Sequence, residues 1–395
     1  FDSGPIKGFA VTLIIGILSS MFTALFMTRY FFAGWVKNPK NKELKMAQFL
    51  KETSYNFLAQ AKPVIALSVL VLLLGTFFFV KERKTIFGMD FTGGYSLTLD
   101  VEEKPGENDY RLQATEAFLS AGASRTDFEV RELSRPDHLR IQFGTSMDEK
   151  GHPFYQMEEV SKENNYLYDY QKDPRLNWVV NTLQTHDITI STAALTKLQK
   201  NWSVMSGQFS DSMRNHALTG LAIALLAILI YITFRFEFKY AMSAVIGLAH
   251  DIAITLGILA FFNAIGFAVQ IDLQVIGAIM TIVGYSLNDT IIVFDRIRED
   301  VRLMKKSSFK EVINHALNVT LSRTMMTSGT TLLVLLALVL LGGHSIFAFS
   351  LVMTIGVIVG TLSSLFIAPV VLLYLHNREI EQNKMAKIAG KKQTH

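Results

Sequence analysis

Seven long apolar runs constrain the fold more than any other feature of this sequence. Each holds about 18 or more residues with almost no charge, the length a helix needs to cross the hydrocarbon core of a bilayer. The runs lie at 8–32, 63–80, 216–234, 240–262, 271–294, 324–341 and 345–375. Hydrophobic residues make up 50% of the chain and charged residues 18%, too apolar for an ordinary soluble domain. The sequence therefore predicts a polytopic α-helical membrane protein.

The remaining composition excludes several kinds of site. The chain has no cysteine, which excludes disulfides and thiolate metal sites, and its nine histidines show no H-x-x-x-H spacing. No G-x-x-x-x-G-K-[ST] phosphate loop occurs. We therefore expect no metal and no cofactor, so that any work must be driven by an ion gradient or a partner. The first run lacks the basic start and cleavage site of a signal peptide, and the start at Phe1 predicts further sequence upstream.

The charges between the runs predict the orientation in the membrane. Two connections and the C-terminal tail are basic, whereas the long segment 81–215 carries both signs. The basic residues are Lys37, Lys40, Lys42, Lys45, Lys51, Arg296, Arg298, Arg302, Lys305, Lys306, Lys310, Arg378, Lys384, Lys387, Lys391 and Lys392. Because basic loops stay in the cytoplasm, the polar segment is expected outside. The net charge of +4 follows from this topology, and no nucleic-acid partner is expected.

The polar segment has the patterns of a small α+β domain. YSLTLDV (95–101) alternates like a strand, residues 110–122 have helical spacing, and residues 128–143 are typical of a hairpin. A further helical stretch covers about 174–200. We expect a two-layer, ferredoxin-like external domain, with residues 146–173 as a surface excursion because they show no clear period.

A short internal repeat links the two ends of the chain. GFAVTLIIG (8–16) and AFSLVMTIG (348–356) share a Phe followed by Ile-Gly, with a Ser-Ser pair further on. Such matches between apolar helices are often accidental. If this one is real, the first run is the last helix of a second, parallel half.

The fifth run holds the most unusual polar pair. In IVGYSLNDTIIVFDRIRED (282–300) Asn288 and Asp289 precede the charged end, and Asp289 lies about 8 to 9 Å short of Asp295 at about 1.5 Å per residue. A carboxylate at that depth must face protein or water. Burial raises a carboxyl pKa and a cation lowers it, so such a group can exchange a proton. The alternative is a structural hydrogen bond between helices.

Neighbouring residues on the same helix are expected to pack or to assist. Gly277, Gly284 and Asn288 recur at spacings of seven and four, which places them on one face that admits another helix closely. Tyr285, one turn before Asp289, is a candidate hydroxyl donor.

Three further residues are candidates for proton transfer. Arg323 opens the sixth run; its side chain either reaches Asp289 or marks the cytoplasmic boundary, and the sequence favours neither. In GLAHDIAITLG, His250 and Asp251 fall near the membrane midplane. Since adjacent helix positions point about 100° apart, the two are not expected to face one partner. A proton relay and a satisfied interhelical pair remain equally open.

A glycine-rich motif follows the second run. GMDFTGG contains Gly88, Asp90, Gly93 and Gly94, and three glycines in seven residues suit a tight turn with close backbone approach.

Together these motifs resemble the SecD/SecF protein-export family of the RND superfamily. GMDFTGG, GLAHDIAITLGIL, IVGYSLNDTIIVFDRIRED and SRTMMTSGTTLLV are similar to successive motifs of its SecF part, and GPIKGFAVTLIIGILSSMFTALFMTRYFF to the last span of its SecD part. The likeness covers nearly the whole chain. It departs from the family in residues 146–173, which are longer than expected.

The resemblance implies an RND-type membrane protein and the C-terminal portion of a fused SecDF. The implied divisions are the last helix of a SecD-like half at 1–33, a cytoplasmic linker at 34–62, the first SecF-like span at 63–80, the periplasmic domain at 81–215, a five-helix bundle at 216–375 and a basic cytoplasmic tail at 376–395.

The family also implies a function. Its members assist the Sec translocon in the bacterial cytoplasmic membrane by using proton flow, and they are not enzymes. The implied partners are a SecD-like half, the SecYEG channel, unfolded exported polypeptides, protons and lipids. The proton-conducting Asp of the family and its Arg partner fall on Asp289 and Arg323. Two other hypotheses are an RND-type exporter of small molecules or lipids, and a scaffold that stabilises a translocon without transport.

Overall fold

The computed structural model describes residues 5–37, 53–83, 86–102, 109–132, 137–157, 170–205, 207–265 and 269–392. Seven helical segments in these ranges are long and apolar enough to cross a membrane. They are Ala10–Val36, Phe57–Lys81, Arg214–Arg235, Phe238–Ala264, Leu273–Leu303, Phe309–Leu341 and Ile346–Met385. The expected polytopic helical architecture is confirmed.

The helices of the membrane part are longer than the apolar runs that predicted them. The N-terminal segment consists of α1 (Pro5–Phe22), a π-helical turn (Thr23–Met27) and α2 (Thr28–Val36); α3 is Phe57–Lys81. After the external domain come α9 (Gly207–Arg235), α10 (Phe238–Ala264), α11 (Leu273–Leu303), α12 (Phe309–Leu341), α13 (His344–Leu362), a π-helical turn (Ser363–Ile367) and α14 (Ala368–Lys392). Polar caps outside the apolar runs set some of these ends: α12 begins at a capping box of Ser308 and Glu311.

The bundle is built around α11 and α13. α11 packs against α10, α12 and α13, and α10 also packs against α3. The N-terminal segment contacts α11 but has no buried residue in its apolar window, whereas 61% of the last span's window is buried. The last span is therefore a core element and the first a peripheral one.

The external domain has the expected ferredoxin-like topology. A short helix α4 (Met89–Thr92) leads into β1 (Gly94–Asp100), α5 (Tyr110–Ser120), β2 (Phe128–Glu132), β3 (His138–Gly144), α6 (Pro174–Thr185), α7 (Thr192–Leu195), α8 (Leu198–Asn201) and β4 (Trp202–Met205). The sheet order is β2-β3-β1-β4 with all neighbours antiparallel, which is the βαββαβ arrangement. Alternate residues of β1 and β3 are buried against Phe118, and Phe118 stacks on Trp178.

The interpretation of residues 146–173 as a surface excursion is wrong for their described part. A 3₁₀ turn (Thr145–Asp148) and the chain up to residue 157 pack onto the sheet, where Met147 and Phe154 are fully buried. Asp148 accepts hydrogen bonds from Tyr95 (2.9 Å) and Arg175 (3.0 Å). Met147 and Phe154 are two isolated buried residues, and two residues do not form a repeating helix or strand pattern. Pattern analysis therefore missed them. Residues 158–169 lie outside the described ranges.

The π-helical turns give the internal repeat a structural counterpart. One starts at Thr23 and the other at Ser363, the same distance from the starts of the two matched segments at residues 8 and 348. Each turn inserts an extra residue into a helix and is rare. Their common register favours a real repeat over an accidental match.

Candidate functional site

Asp289 lies inside the bundle on α11 and is 2% exposed. Its Oδ2 accepts a hydrogen bond of 3.4 Å from the hydroxyl of Ser328 on α12. The Ser328 oxygen in turn accepts from Thr361 on α13 (2.8 Å) and from Tyr285 (3.4 Å). Asp289 thus accepts one hydrogen bond, from α12, and the donor hydroxyl is itself bound by Thr361 of α13 and Tyr285 of α11. Tyr285 acts as the expected donor, but to Ser328 rather than to the carboxylate.

Arg323 does not pair with Asp289 in this conformation. Both side chains are described, and no ion pair within 4.0 Å joins them. Ser328 occupies the position on α12 that faces Asp289, and Arg323 lies five residues earlier, about 7.5 Å along the axis and about 140° around it. Its side chain is exposed and lines a groove of about 390 Å³ with Asp295 and Arg296. The direct contact that the sequence left open is therefore absent between these two side chains.

His250 and Asp251 form a second polar cluster in the bundle. Asp251 is fully buried; its Oδ2 accepts a hydrogen bond of 2.6 Å from Ser286 on α11, and its Oδ1 lies 2.9 Å from His250 Nδ1. The other ring nitrogen of His250 contacts the hydroxyl of Ser68 on α3. As expected, the two adjacent residues do not face one partner, because His250 contacts Ser68 of α3 whereas Asp251 contacts Ser286 of α11. The imidazole also folds back onto its neighbour's carboxylate, which the sequence did not predict.

The two clusters meet on one helix. Ser286 and Asp289 are three residues apart on α11, which places them on nearly the same face. Beside Ser286, α13 comes close: a Cβ added to Gly360 would lie 2.9 Å from the Cβ of Ser286. Sequence reasoning missed Ser286, Ser328 and Thr361, because a lone hydroxyl in an apolar helix usually bonds to its own backbone.

Replacing Ser286 by Ala should destabilise the bundle. The change removes a donor from a carboxylate that water does not reach, at a cost of about 1–3 kcal/mol. We expect a lower thermal unfolding midpoint for the purified protein in detergent. Ser243→Ala is the matched control, since Ser243 is equally buried and bonds only to the Lys239 carbonyl of its own helix. An equal shift in both variants would contradict the assigned role of Ser286.

No helix covers Gly284 or Asn288 in the described part of the chain, so their expected packing stays a prediction. Gly277 is buried, but Gly284 and Asn288 are exposed, and a Cβ added to Gly284 meets nothing within 4 Å. A direct contact between the backbones of two helices occurs elsewhere, where Gly75 of α3 meets Gly257 of α10 and an added Cβ would lie 2.7 Å from the opposite Cα. The spacing on α11 therefore did not predict which of these residues another helix covers.

The motif GMDFTGG joins the external domain to the start of α11. The Gly88 amide donates to the Ile271 carbonyl (2.9 Å), and the Asp90 carboxylate accepts from the Leu273 amide (3.1 Å). A Cβ on Gly88 would come within 3.2 Å of Asp272, and Gly93 has a φ of 80°, which explains the glycines. The turn was expected; its role as a cap on α11 was not.

A third cluster lies near the C-terminal end of α11. Asp300 is 1% exposed, and its two oxygens bind Arg296 (3.0 Å) and His315 of α12 (2.8 Å). α11 therefore carries a buried carboxylate near each end and one in between.

The fold and these clusters define the class: a polytopic, RND-type membrane protein with carboxylates buried among its spanning helices and a ferredoxin-like domain attached to one of them. Residues 185–378 match the family model for the C-terminal region of protein export membrane proteins SecD/SecF. The protein translocase subunit SecF of Pseudomonas aeruginosa is 32% identical over 329 residues, covering 83% of this chain and 93% of that protein. The chain therefore belongs to the SecD/SecF family.

Two further comparisons extend the likeness. SecF of Rhodothermus marinus is 42% identical over 185 residues, 47% of this chain and 60% of that protein. The crystal structure of SecDF, a translocon-associated membrane protein from Thermus thermophilus, superimposes with a TM-score of 0.71 at 27% identity, over 95% of this chain and 46% of that one. The chain thus spans about half of a SecDF protein.

Proposed function

We propose that this protein is an accessory subunit of the Sec protein translocase that uses the proton gradient to promote late steps of polypeptide export. The observation that carries the proposal is Asp289, a carboxylate 2% exposed on a central membrane helix. The names of its relatives, translocase subunits SecF and SecDF, support the export role. Protons are the substrate that such a carboxylate suits best, because it can be neutral or charged at the same position.

The second cluster provides a second proton acceptor on the same route. Asp251 is fully buried and His250 is nearly so, and both lie on α10. Asp251 accepts a hydrogen bond from Ser286, which lies on α11 three residues before Asp289. Arg323 acts from the groove at the cytoplasmic end, where it favours the charged form of Asp289 without touching it. Protonation of Asp289 weakens that attraction and its bond from Ser328, which changes how α11 and α12 pack.

The proposed orientation in the membrane follows from the distribution of basic residues between the spans. The domain between α3 and α9 lies on the outer side of the bacterial cytoplasmic membrane, and the basic segments lie inside. The partners are a SecD-like half, the SecYEG channel and unfolded exported polypeptides. The exposed face of α11 at Gly284 and Asn288 is the surface where a SecD-like half would pack, and the common π-helical turns support two related halves.

Two other functions are less well supported. A small-molecule exporter needs a sizeable apolar pocket in its external domain, whereas the cavity of about 250 Å³ at the base of this domain is lined by Asp127, Glu129 and Glu149 among other polar residues. A scaffold without transport gives no reason to bury Asp289 and Asp251 at the cost of their desolvation.

Membrane vesicles test the proposal directly. Vesicles containing the translocon are prepared with and without this protein, and completion of export of a secretory precursor is followed with a proton gradient present or collapsed by a protonophore. We expect the protein to accelerate completion only when the gradient is present. Equal stimulation in both conditions would point to the scaffold, and no stimulation would remove the export role.

A further inference from the structure

An ion cluster joins the external sheet to the first turn of α11. Arg131 on β2 donates from Nη2 to Asp272 Oδ2 (2.8 Å), and from Nε and Nη2 to the two oxygens of Glu129 (2.7 and 2.9 Å). Asp272 is the N-cap of α11, because its Oδ1 accepts from the Val275 amide at 2.8 Å. One guanidinium therefore binds the sheet and the helix cap together.

Asp90 completes the cluster from the other side. It binds the Leu273 amide, so the first turn of α11 is capped by Asp272 from its own chain segment and by Asp90 from the external motif. Negative charge at a helix N-terminus is favourable, but two carboxylates so close repel each other. Burial raises the pKa of Asp90, and the charge of Asp272 raises it further, while the Leu273 amide and Arg131 oppose the rise.

Arg131 is the cation that holds this group of carboxylates together. Burial alone would lower its pKa, but the ion pairs with Glu129 and Asp272 raise it above the ordinary value. The side chains of Arg131 and Asp272 are 19% and 8% exposed. A pair this shielded is strong while intact, and removing one partner leaves a buried charge without compensation.

The cluster and Asp289 lie on one uninterrupted helix. α11 runs from Leu273 to Leu303, so Asp272 and Asp289 are about 25 Å apart along a single rod. No loop lies between Asp289, within the membrane, and the N-cap Asp272 that Arg131 binds. A shift of α11 at Asp289 therefore reaches the external sheet through this joint.

We propose that Arg131 is a positioning residue that couples α11 to the external domain through its ion pair with Asp272. The inference rests on the proposed function and adds the joint through which a change at Asp289 moves the domain. Two sites are coupled when a change at one alters the free energy of the other. Breaking the Arg131–Asp272 ion pair should therefore separate proton flow from export without stopping proton flow.

The test uses three variants: Arg131→Gln, Asp272→Asn and the double variant. Asn is as good an N-cap as Asp, so Asp272→Asn removes the charge and keeps the cap. Arg140→Gln is the matched control, because Arg140 lies on the adjacent strand β3, is exposed and carries the same charge. Proton flux and gradient-dependent export are measured in the same vesicles.

We expect both single variants to lower export per proton by a factor on the order of 5 or more, with proton flux preserved. The double variant should be no worse than either single one, because all three break the same pair. Export per proton equal to that of Arg140→Gln would overturn the proposal. So would a parallel loss of flux and export, or single effects that multiply in the double variant.

Asp289→Asn in the same vesicles separates the two proposals. Loss of flux in Asp289→Asn with a normal ratio in Arg131→Gln overturns the coupling alone. Normal flux and export in Asp289→Asn overturn the proposed function, and the coupling with it.

Discussion

Replacing Asp289 by Asn should abolish the part of export that depends on the proton gradient. Asn has nearly the same shape and can still accept the hydrogen bond from Ser328, but it cannot take up or release a proton. Loss of a positioned proton-transfer group typically costs on the order of 100-fold or more in rate. We expect proton flux into vesicles to fall by about that factor and export to fall to its rate without a gradient.

The control for this prediction lies six residues further along the same helix. Asp295→Asn makes the same chemical change at an exposed carboxylate nearer the C-terminal end of α11, and both variants should accumulate as folded protein to the same level. If Asp289→Asn retained flux and export at the level of Asp295→Asn, Asp289 would be a structural residue and the proton mechanism would be wrong.

The second large effect is expected at the contact between α3 and α10. In Gly257→Ala the new methyl group would lie 2.7 Å from the Cα of Gly75, a backbone atom that no side-chain rotation can move away. The helices must separate, and overpacking of this kind costs about 1–3 kcal/mol. The thermal unfolding midpoint in detergent should fall, and Gly75→Ala should do the same because the contact is reciprocal.

Gly284→Ala is the matched control and should shift the midpoint in the opposite direction. Nothing lies within 4 Å of its added Cβ, so the variant keeps only the gain of up to about 1 kcal/mol that Ala brings to a helix interior. A drop of the same size in both variants would mean that flexibility rather than the close helix contact explains Gly257.

The sequence predicts those helices and strands whose apolar residues recur in a run or at a regular spacing. Apolar runs located all seven spans, and alternation and helical spacing located β1, α5 and the β2–β3 hairpin. The short strand β4 was missed because Trp202–Met205 is too short to show alternation. Met147 and Phe154 were missed for a similar reason, since isolated anchors in the core carry no period.

The site was predictable in its charges but not in its contacts. A carboxylate in an apolar run is visible in any sequence, so Asp289 and Asp251 could be found. Which hydroxyl reaches each one depends on how the helices rotate and approach, which the local pattern does not contain. Ser328 rather than Arg323 therefore meets Asp289, and the backbone contact between two glycines joins α3 and α10 rather than a partner of Gly284 on α11.

The three buried carboxylates along α11 lie at unequal distances from one another. Asp300 is tied to the neighbouring helix through His315 of α12. Asp289 is about 16 Å from that point and Asp272 about 42 Å. Rigid tilting of α11 about this contact would enlarge a displacement of 1 Å at Asp289 to roughly 2.5 Å at Asp272, by the ratio of these lengths. Under the proposed coupling, a small displacement within the membrane would therefore reach the sheet of the attached domain as a larger one.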